Sequence, residues 1–401
     1  MKGWVTKPLG KVVVKTPTVD PRKHPEKSFF YVDVSSVSNK TLEITEAAEL
    51  LGSEAPSRAR RVMAAGDVIF ATVRPTLKRI AIVPEYLDGE VCSTGYFVFQ
   101  PMEELDNRYL YYFLQSDVFM TRMEKLQAGA SYPAVNDSQV KSQLISYPCI
   151  SEQKRLVAIL DEVFADIEQA RAKTEQNLKN ARELFESYLQ QVFSKRGEGW
   201  VEYKMSDVCE ITSKLIDPRD NEYLDLPHIG AGNMVSSTGE LADVKTAREE
   251  GLISGKFLFD ETMVLYSKIR PYLMKVCRPD FAGLCSADVY PLVPISGKLD
   301  KDYLFYVLLS KDFTDYAISG SGRAGMPKVN RTHLFNYELN IPSLGKQREY
   351  VDKMDQILEY SQNLEITYTE KLITLDELKQ SILQKAFSGE LIQGASKEKV
   401  A

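Results

Sequence analysis

Residues 151–196 read SEQKRLVAILDEVFADIEQARAKTEQNLKNARELFESYLQQVFSKR, with no Pro or Gly across all 46 positions. Apolar residues step by three and four along it: Leu156, Leu160, Val163, Ile167, Ala170, then Leu178, Ala181, Phe185, Tyr188 and Val192. That spacing lays one apolar stripe along one face of a helix. Unbroken, the helix would run roughly 66 Å at about 1.5 Å per residue. This is longer than an ordinary domain helix, so it reads as a spacer. Polar Thr174 interrupts the stripe and marks a local adjustment or a contact. A stripe of this kind needs a mate, and the only suitable one lies near the other end of the chain. Residues 345–388 carry Val351, Met354, Leu358, Leu364, Tyr368, Leu372, Leu375, Leu378 and Ile382 at similar spacing.

What separates the two stripes is a copy of what precedes the first. Gly3-Trp4 returns as Gly199-Trp200, and GDVIFATVRP (66–75) as TMVLYSKIRP (262–271), both at an offset of 196. YLYYFL (109–114) returns as YLFYVL (303–308), and GASYPAVN (129–136) as RAGMPKVN (323–330), at 194. Gln153, Val157 and Asp161 meet Gln347, Val351 and Asp355, while LQQVFS (189–194) meets LQKAFS (383–388). The offset stays within 193–196 over nearly the whole half, which chance similarity does not do. The expected fold is therefore α+β: two globular domains separated by two long helices that form an antiparallel coiled coil, with internal duplication and pseudo-two-fold symmetry. The divisions are 1–150, the helix 151–196, 197–343, and 344–401 for the second helix and tail. Candidate strands in the first domain are Lys11–Lys15, Phe29–Val34, Val68–Val73, Ile80–Val83 and Tyr96–Phe99, followed by short helices at Arg108–Gln115 and Val118–Gln127.

Composition bounds the function. The 401 residues are 44% hydrophobic and 26% charged, as in a folded globular protein. Five cysteines without a CxxC pair argue against a disulfide framework or zinc cluster, and no apolar run suggests a membrane span. The expected location is cytoplasmic. Net charge is −6 and uneven. Residues 1–150 carry 18 Lys+Arg against 17 Asp+Glu, and residues 197–342 carry 16 against 21. DNA contact needs a basic local face rather than a basic chain. Two similar heads on a helical spacer suit a bipartite duplex target, with one half-site per head.

The order of parts resembles the specificity (S) subunit of type I restriction-modification enzymes. EQKRLVAILDEV (152–163), its echo KQREYVDKMDQI (346–357), LQQVFS and the closing ELKQSILQKAFSGEL (377–391) carry the resemblance. TMVLYSKIRPYL and GRAGMPKVNRTHL resemble the body of that family's target recognition domains, and the likeness spans essentially the whole chain. It implies two target recognition domains alternating with two conserved helical regions. It also implies docking of two modification (methyltransferase) subunits and, in the full complex, two restriction subunits. One departure is KQRE at 346–349 in place of EQKR at 152–155, so the second junction is expected to dock its partner slightly differently.

Catalytic motifs are lacking. An adenine methyltransferase needs an Asn/Asp-Pro-Pro-aromatic loop for the flipped base, and the chain has no Pro-Pro dipeptide. It has neither GxGxxG nor a P-loop, and His24, His228 and His333 offer no metal set or triad by spacing. Cys149 after Pro148 reads as a buried thiol. No cofactor and no catalysis are expected. A protein-binding coiled-coil adaptor is the alternative, which the net negative charge favours. A fused enzyme would need the missing motifs.

Phosphate and base contacts call for Arg, Lys and small polar donors. In the first head these are Arg58, Arg60, Arg61, Arg74, Lys78, Arg79, Ser131, Tyr132 and Asn136. In the second they are Lys268, Arg270, Lys275, Arg278, Arg323, Lys328, Asn330 and Arg331. The Gly-containing loops at 129–136 and 320–331 stand out, because Gly lets backbone approach a phosphate. Arg74 and Arg270 recur in both heads before Pro, which suits structure or phosphate contact better than base choice. Partner contacts are expected at Glu152, Lys154, Arg155, Phe193 and Phe387.

Overall fold

The computed structural model describes residues 3–129, 131–195, 198–322 and 326–391. The long apolar stripes become two continuous helices, Ile150–Phe193 of 44 residues and Leu344–Ser388 of 45. Thr174 does not break the first. Its hydroxyl donates to the Ala170 carbonyl at 2.7 Å, so a polar residue that is 1% exposed is satisfied within its own helix.

The chain divides into two compact units, and each long helix contributes to both. One unit comprises the described residues of Met1–Thr174 and Glu370–Ala401, the other those of Glu175–Thr369. In the first unit the two helix segments run antiparallel. Lys379 pairs with Glu168 at 3.0 Å and Arg171 with Asp376, so rising numbers on one helix meet falling numbers on the other. In the second unit Arg182 pairs with Glu365 at 2.9 Å, and the buried Ser361 hydroxyl donates to the Ala181 carbonyl at 2.5 Å.

The helices are built into the domain cores. Leu156, Leu160, Phe164 and Ile167 join Leu383, Ala386 and Phe387 in the first core, where Phe387 packs edge-on to Tyr109 and Phe113. Phe185, Leu189 and Val192 join Tyr350, Val351 and Met354 in the second. Each large side chain buried this way stabilises by about 1.5–3 kcal/mol.

The duplication appears strand by strand. In the first unit Val13–Val14, Tyr96–Pro101, Val68–Ala71 and Ile80–Ile82 lie side by side, all antiparallel. Cys209–Glu210, Val289–Pro294, Val264–Ser267 and Val276–Cys277 repeat that order in the second. A second sheet runs Ala48–Leu51, Ser28–Val32, Val91–Ser93, Ala59–Val62, with one parallel pair, Ser28–Val32 against Val91–Ser93. Its counterpart, Lys245–Thr246, Pro227–Ile229, Gly283–Ser286, Lys256–Phe259, keeps the parallel pair and adds Leu215–Ile216 at the edge. The expected strand at Lys11–Lys15 is shorter. Leu9–Lys11 is a 3-10 turn, and Gly10 there packs so close to Lys141 that a Cβ would lie 2.9 Å from its side chain.

Each domain is joined to its long helix by a matched pair of polar locks. Gln153, fully buried, accepts from the Asp106 amide at 2.8 Å and donates to the Glu104 and Pro148 carbonyls at 2.9 and 2.8 Å. Gln347 makes the same three bonds to Asp300, Lys298 and Pro342 at 2.8, 2.9 and 2.8 Å. About two turns further on, Asp161 accepts from the Tyr112 hydroxyl at 2.5 Å and from Arg108 at 2.7 Å. Asp355 accepts from Tyr306 and Arg278. The guanidinium comes from the short helix Asn107–Gln115 in one unit and from just beyond Val276–Cys277 in the other, where Asp302 occupies the Arg108 position.

Asp67, 4% exposed and just before the strand Val68–Ala71, has no charged counterpart, since Met263 stands at the equivalent place. Burial pushes its carboxyl up to about 6 from an ordinary 3.8, with nearby Asp88 adding to the rise and the Ala64 amide opposing it. Between those values the unfolded chain binds fewer protons than the folded one, so stability falls as pH rises from about 4 to about 6. Asp67→Asn is expected to flatten that slope and to gain about 1–2 kcal/mol at neutral pH. Denaturant midpoints measured across the window check this, and an unchanged slope would refute it.

Candidate nucleic-acid interface

In each unit an arginine turn and a glycine-containing loop are tied together. Arg74 and Lys78 bracket the 3-10 turn Pro75–Leu77 with φ of 48° and 54°. Arg270 and Met274 bracket Pro271–Leu273 with φ of 51° and 44°. Left-handed backbone at non-glycine residues costs on the order of 1–3 kcal/mol each and persists only where the surroundings impose it. Here the Arg74 amide donates to the Pro133 carbonyl at 2.7 Å, with Val73 bridging to Ala134. The Arg270 amide donates to Pro327 at 2.9 Å, with Ile269 bridging to Lys328. Both loops then enter a short helix capped by Asn136 or Asn330, whose side chains accept from the Gln139 and His333 amides.

Glycine serves close packing within these loops. At Gly129, with φ of 108°, a Cβ would lie 2.8 Å from the Tyr132 carbonyl. At Gly320 it would lie 2.2 Å from the His333 ring, which stacks on Tyr316 at 4.1 Å. The close approach expected toward a phosphate is thus made toward the protein itself.

Around the first turn lie Arg74, Lys78, Ser131, Tyr132, Asn136, Arg58 and Arg61. The Arg74 guanidinium sits 4.9 Å from the Tyr132 ring centre and donates to the Ser131 carbonyl at 3.4 Å. Lys78 is 3.9 Å from Asp117. Exposed Arg58 is tied in through its backbone: the Thr94 amide donates to its carbonyl, and the Thr72 amide donates to the carbonyl of the next residue, Gly95. Arg61 pairs with Asp137 at 2.9 Å, over the Phe97 ring. Lys141, absent from the sequence-derived set, lies over the same ring at 5.7 Å.

Around the second turn lie Lys268, Arg270, Lys328, Asn330 and Arg331. Asp288 meets Lys268 at 3.4 Å and Lys328 at 3.2 Å. Arg331 lies 5.8 Å from both the Phe257 and Tyr290 rings, and Arg270 is exposed. Two lysines thus share one carboxylate, with Arg331 over the neighbouring rings, although residues 197–342 as a whole carry more acid than base. Strand register equates Phe257 with Arg61, opposite Cys285 and Cys92 respectively. The guanidinium over the sheet aromatic is therefore supplied by a strand in one unit and by a helix N-terminus in the other.

Other expected contacts have different places. Arg79 donates to the Val34, Ser35 and Val37 carbonyls at 3.1, 3.0 and 2.6 Å, and its counterpart Lys275 donates to Ala231 at 2.5 Å. Both are spent on holding the equivalent loop. Arg60 pairs with Asp20 at 2.5 Å. Arg278 is engaged in the Asp355 lock, so its charge serves the helix junction. Arg323 lies outside the described residues, and Cys149, expected to be buried, is exposed at the entry to the first long helix, 3.2 Å from the Ser151 hydroxyl. On the helices, Glu152 and Arg155 are 3.7 Å apart and Lys154 is exposed. Phe193 packs on Tyr303 at 5.4 Å, and Phe387 is 9% exposed within the first core, so both rings serve their own domains. The residue shared by EQKR and KQRE is the buried glutamine, whose role is internal and identical in both.

A family model described as the type I restriction modification DNA specificity domain matches residues 1–178 and 197–372. The specificity subunit of the type I restriction enzyme EcoDI from Escherichia coli is 28% identical over 330 residues, covering 74% of this chain and 72% of that protein. The StySPI specificity subunit from Salmonella potsdam is 22% identical over 324 residues, covering 75% and 69%. Among solved structures, one from a study of complex assembly and conformational transition of the type I R-M system superposes with a TM-score of 0.85. It has 29% identity and covers 97% of this chain and 99% of that one. The crystal structure of the HsdS subunit from Thermoanaerobacter tengcongensis gives 0.66, at 30% identity and 97% coverage of both chains.

Proposed function

The chain belongs to the type I restriction-modification DNA specificity family, and from that premise we propose how it works as the specificity subunit of such an enzyme. Residues 1–150 and 197–343 are its two target recognition domains, each reading one half of a bipartite, asymmetric site in double-stranded DNA. The helix 151–196 and the second helix, within 344–401, set the gap between the half-sites. They also dock two modification (methyltransferase) subunits and, in the full complex, two restriction subunits. The subunit itself is non-catalytic, uses no cofactor, and works in the cytoplasm where that DNA is. Glu152, Lys154 and Arg155 lie at the start of the first helix, available to a docking subunit.

The observation that carries this reading is the doubled arginine turn and loop. One backbone arrangement, imposed twice, presents two different sets of charges: Arg58, Arg61 and Lys141 in one unit, Lys268, Lys328 and Arg331 in the other. A shared frame with divergent side chains suits two domains that bind the same polymer but choose different bases. The adaptor alternative loses ground because the relatives matched over most of the chain are DNA specificity subunits.

Exchanging residues 1–150 for the matching head of a relative tests the two-head reading. Methylation mapping of the assembled enzyme is expected to show one half-site changed and the other retained. A change in both half-sites, or methylation without sequence preference, overturns it.

A further inference from the structure

One position in the loop exposes a large side chain in both units. Tyr132 is 71% exposed and Met326 is 46% exposed. They are equivalent, lying 194 residues apart and each directly before the proline that accepts the arginine amide. Singly exposed apolar residues are common on any surface. Val5 and Val201 are also an equivalent exposed pair, but Tyr132 and Met326 stand on backbone pinned by a strained turn, directly before the proline bonded to the Arg74 or Arg270 amide. In the first unit the guanidinium lies against the Tyr132 ring, 4.9 Å from its centre.

The chemistry the two share narrows their task. A phenol and a thioether have no hydrogen-bonding pattern in common, so neither is suited to reading one base edge in both heads. What they share is bulk and a polarisable apolar surface on backbone whose next residue is bonded to an arginine amide. That combination suits a contact made to any base by its face, and apolar side chains of this kind enter base steps and unstack them. We propose, resting on the specificity-subunit reading above, that Tyr132 and Met326 are wedges. Each enters a base step in the half-site held by its own domain, with Arg74 or Arg270 on the adjoining phosphate. Unstacking that step lowers the cost of extruding a neighbouring base for methylation.

The test uses the full chain assembled with its modification subunits, on duplexes carrying the site located by methylation mapping. 2-Aminopurine, which brightens when unstacked, replaces one base at a time. The wild-type complex is expected to brighten one step in each half-site. Tyr132→Ala removes the signal in the first half-site alone and weakens binding roughly 10-fold, in line with the loss of one stacking contact. Tyr132→Phe keeps both signal and affinity, which shows that the fold is intact and the hydroxyl dispensable. Met326→Ala does the same in the second half-site.

Sequence-selective binding by anisotropy without any brightened step overturns the wedge and leaves the specificity reading standing. Equal binding to all duplexes overturns that reading and the wedge with it. If Tyr132→Ala instead releases the modification subunits while the 2-aminopurine signal persists, the residue is a protein contact and the proposal is wrong.

Discussion

Gln347→Ala is expected to destabilise the second unit by about 3–4 kcal/mol, one of the largest effects of any single polar substitution in the chain. The side chain is fully buried and makes three bonds, all to backbone. Its removal leaves the Asp300 amide and the Lys298 and Pro342 carbonyls without that partner, and it opens a cavity at the point where the helix enters the domain. Each unsatisfied buried group costs about 1–3 kcal/mol. Gln347→Leu fills the volume but restores no bond, so it should be nearly as harmful, which separates hydrogen bonding from packing. Gln153→Ala should act equally on the first unit. Because the chain has two units, domain-resolved hydrogen exchange is the proper readout alongside thermal melting. Losses below about 1 kcal/mol for both variants would show that water replaces the lock at no cost.

Lengthening both long helices by seven residues is expected to widen the gap between half-sites by about three base pairs. Seven residues add about 10.5 Å of helix, and two turns nearly restore the original face. Duplex DNA advances about 3.4 Å per base pair. The insertions belong after Thr174 and after Thr369, where the chain passes from one compact unit to the other. Both helices must change together. A heptad in the first helix alone would pull Arg182 out of register with Glu365, or Glu168 with Lys379, and slide one stripe past its mate. The single insertion is therefore expected to lose methylation, and the paired insertion to relocate it. An unchanged gap in the paired variant would show that the helices do not measure the distance.

The local signals in the sequence identified elements whose apolar pattern is strong and whose neighbours are near. Val68–Ala71, Ile80–Ile82 and Tyr96–Pro101 are buried, β-branched or aromatic, and sit where the pattern puts them. Short helices at Asn107–Gln115 and Asp117–Leu126 follow the same rule. Strands with weaker patterns were not legible. Ala59–Val62 reads ARRV, and Leu144–Tyr147 begins exposed and pairs with Val5–Pro8 about 140 residues away. A strand of that kind is chosen by its partner rather than by its own alternation. Among the candidate interface residues, pattern alone could not separate Arg74 from Arg79. Both are arginines in one short basic run, and only the fold turns one to the surface and the other onto three carbonyls.

The sequence by itself determined the duplication, the two long amphipathic helices, and the recurrence in each half of an Arg-Pro segment and a Gly-containing loop; that the two are tied together came from the fold. These are written in periodicity and in a constant offset, which survive without coordinates. Tertiary structure decided which polar residues are structural. Gln153, Asp161, Gln347 and Asp355 repeat in the sequence like any other matched positions; burial of the two glutamines and the hydrogen bonds of all four show that they are locks. It also decided that Thr174 is no flaw in the first helix, because a hydroxyl four residues from a carbonyl can satisfy itself inside a continuous helix. Periodicity reports which face of a helix is buried. Where a single charge or hydroxyl is spent depends on partners brought close only by folding, and no local pattern encodes them.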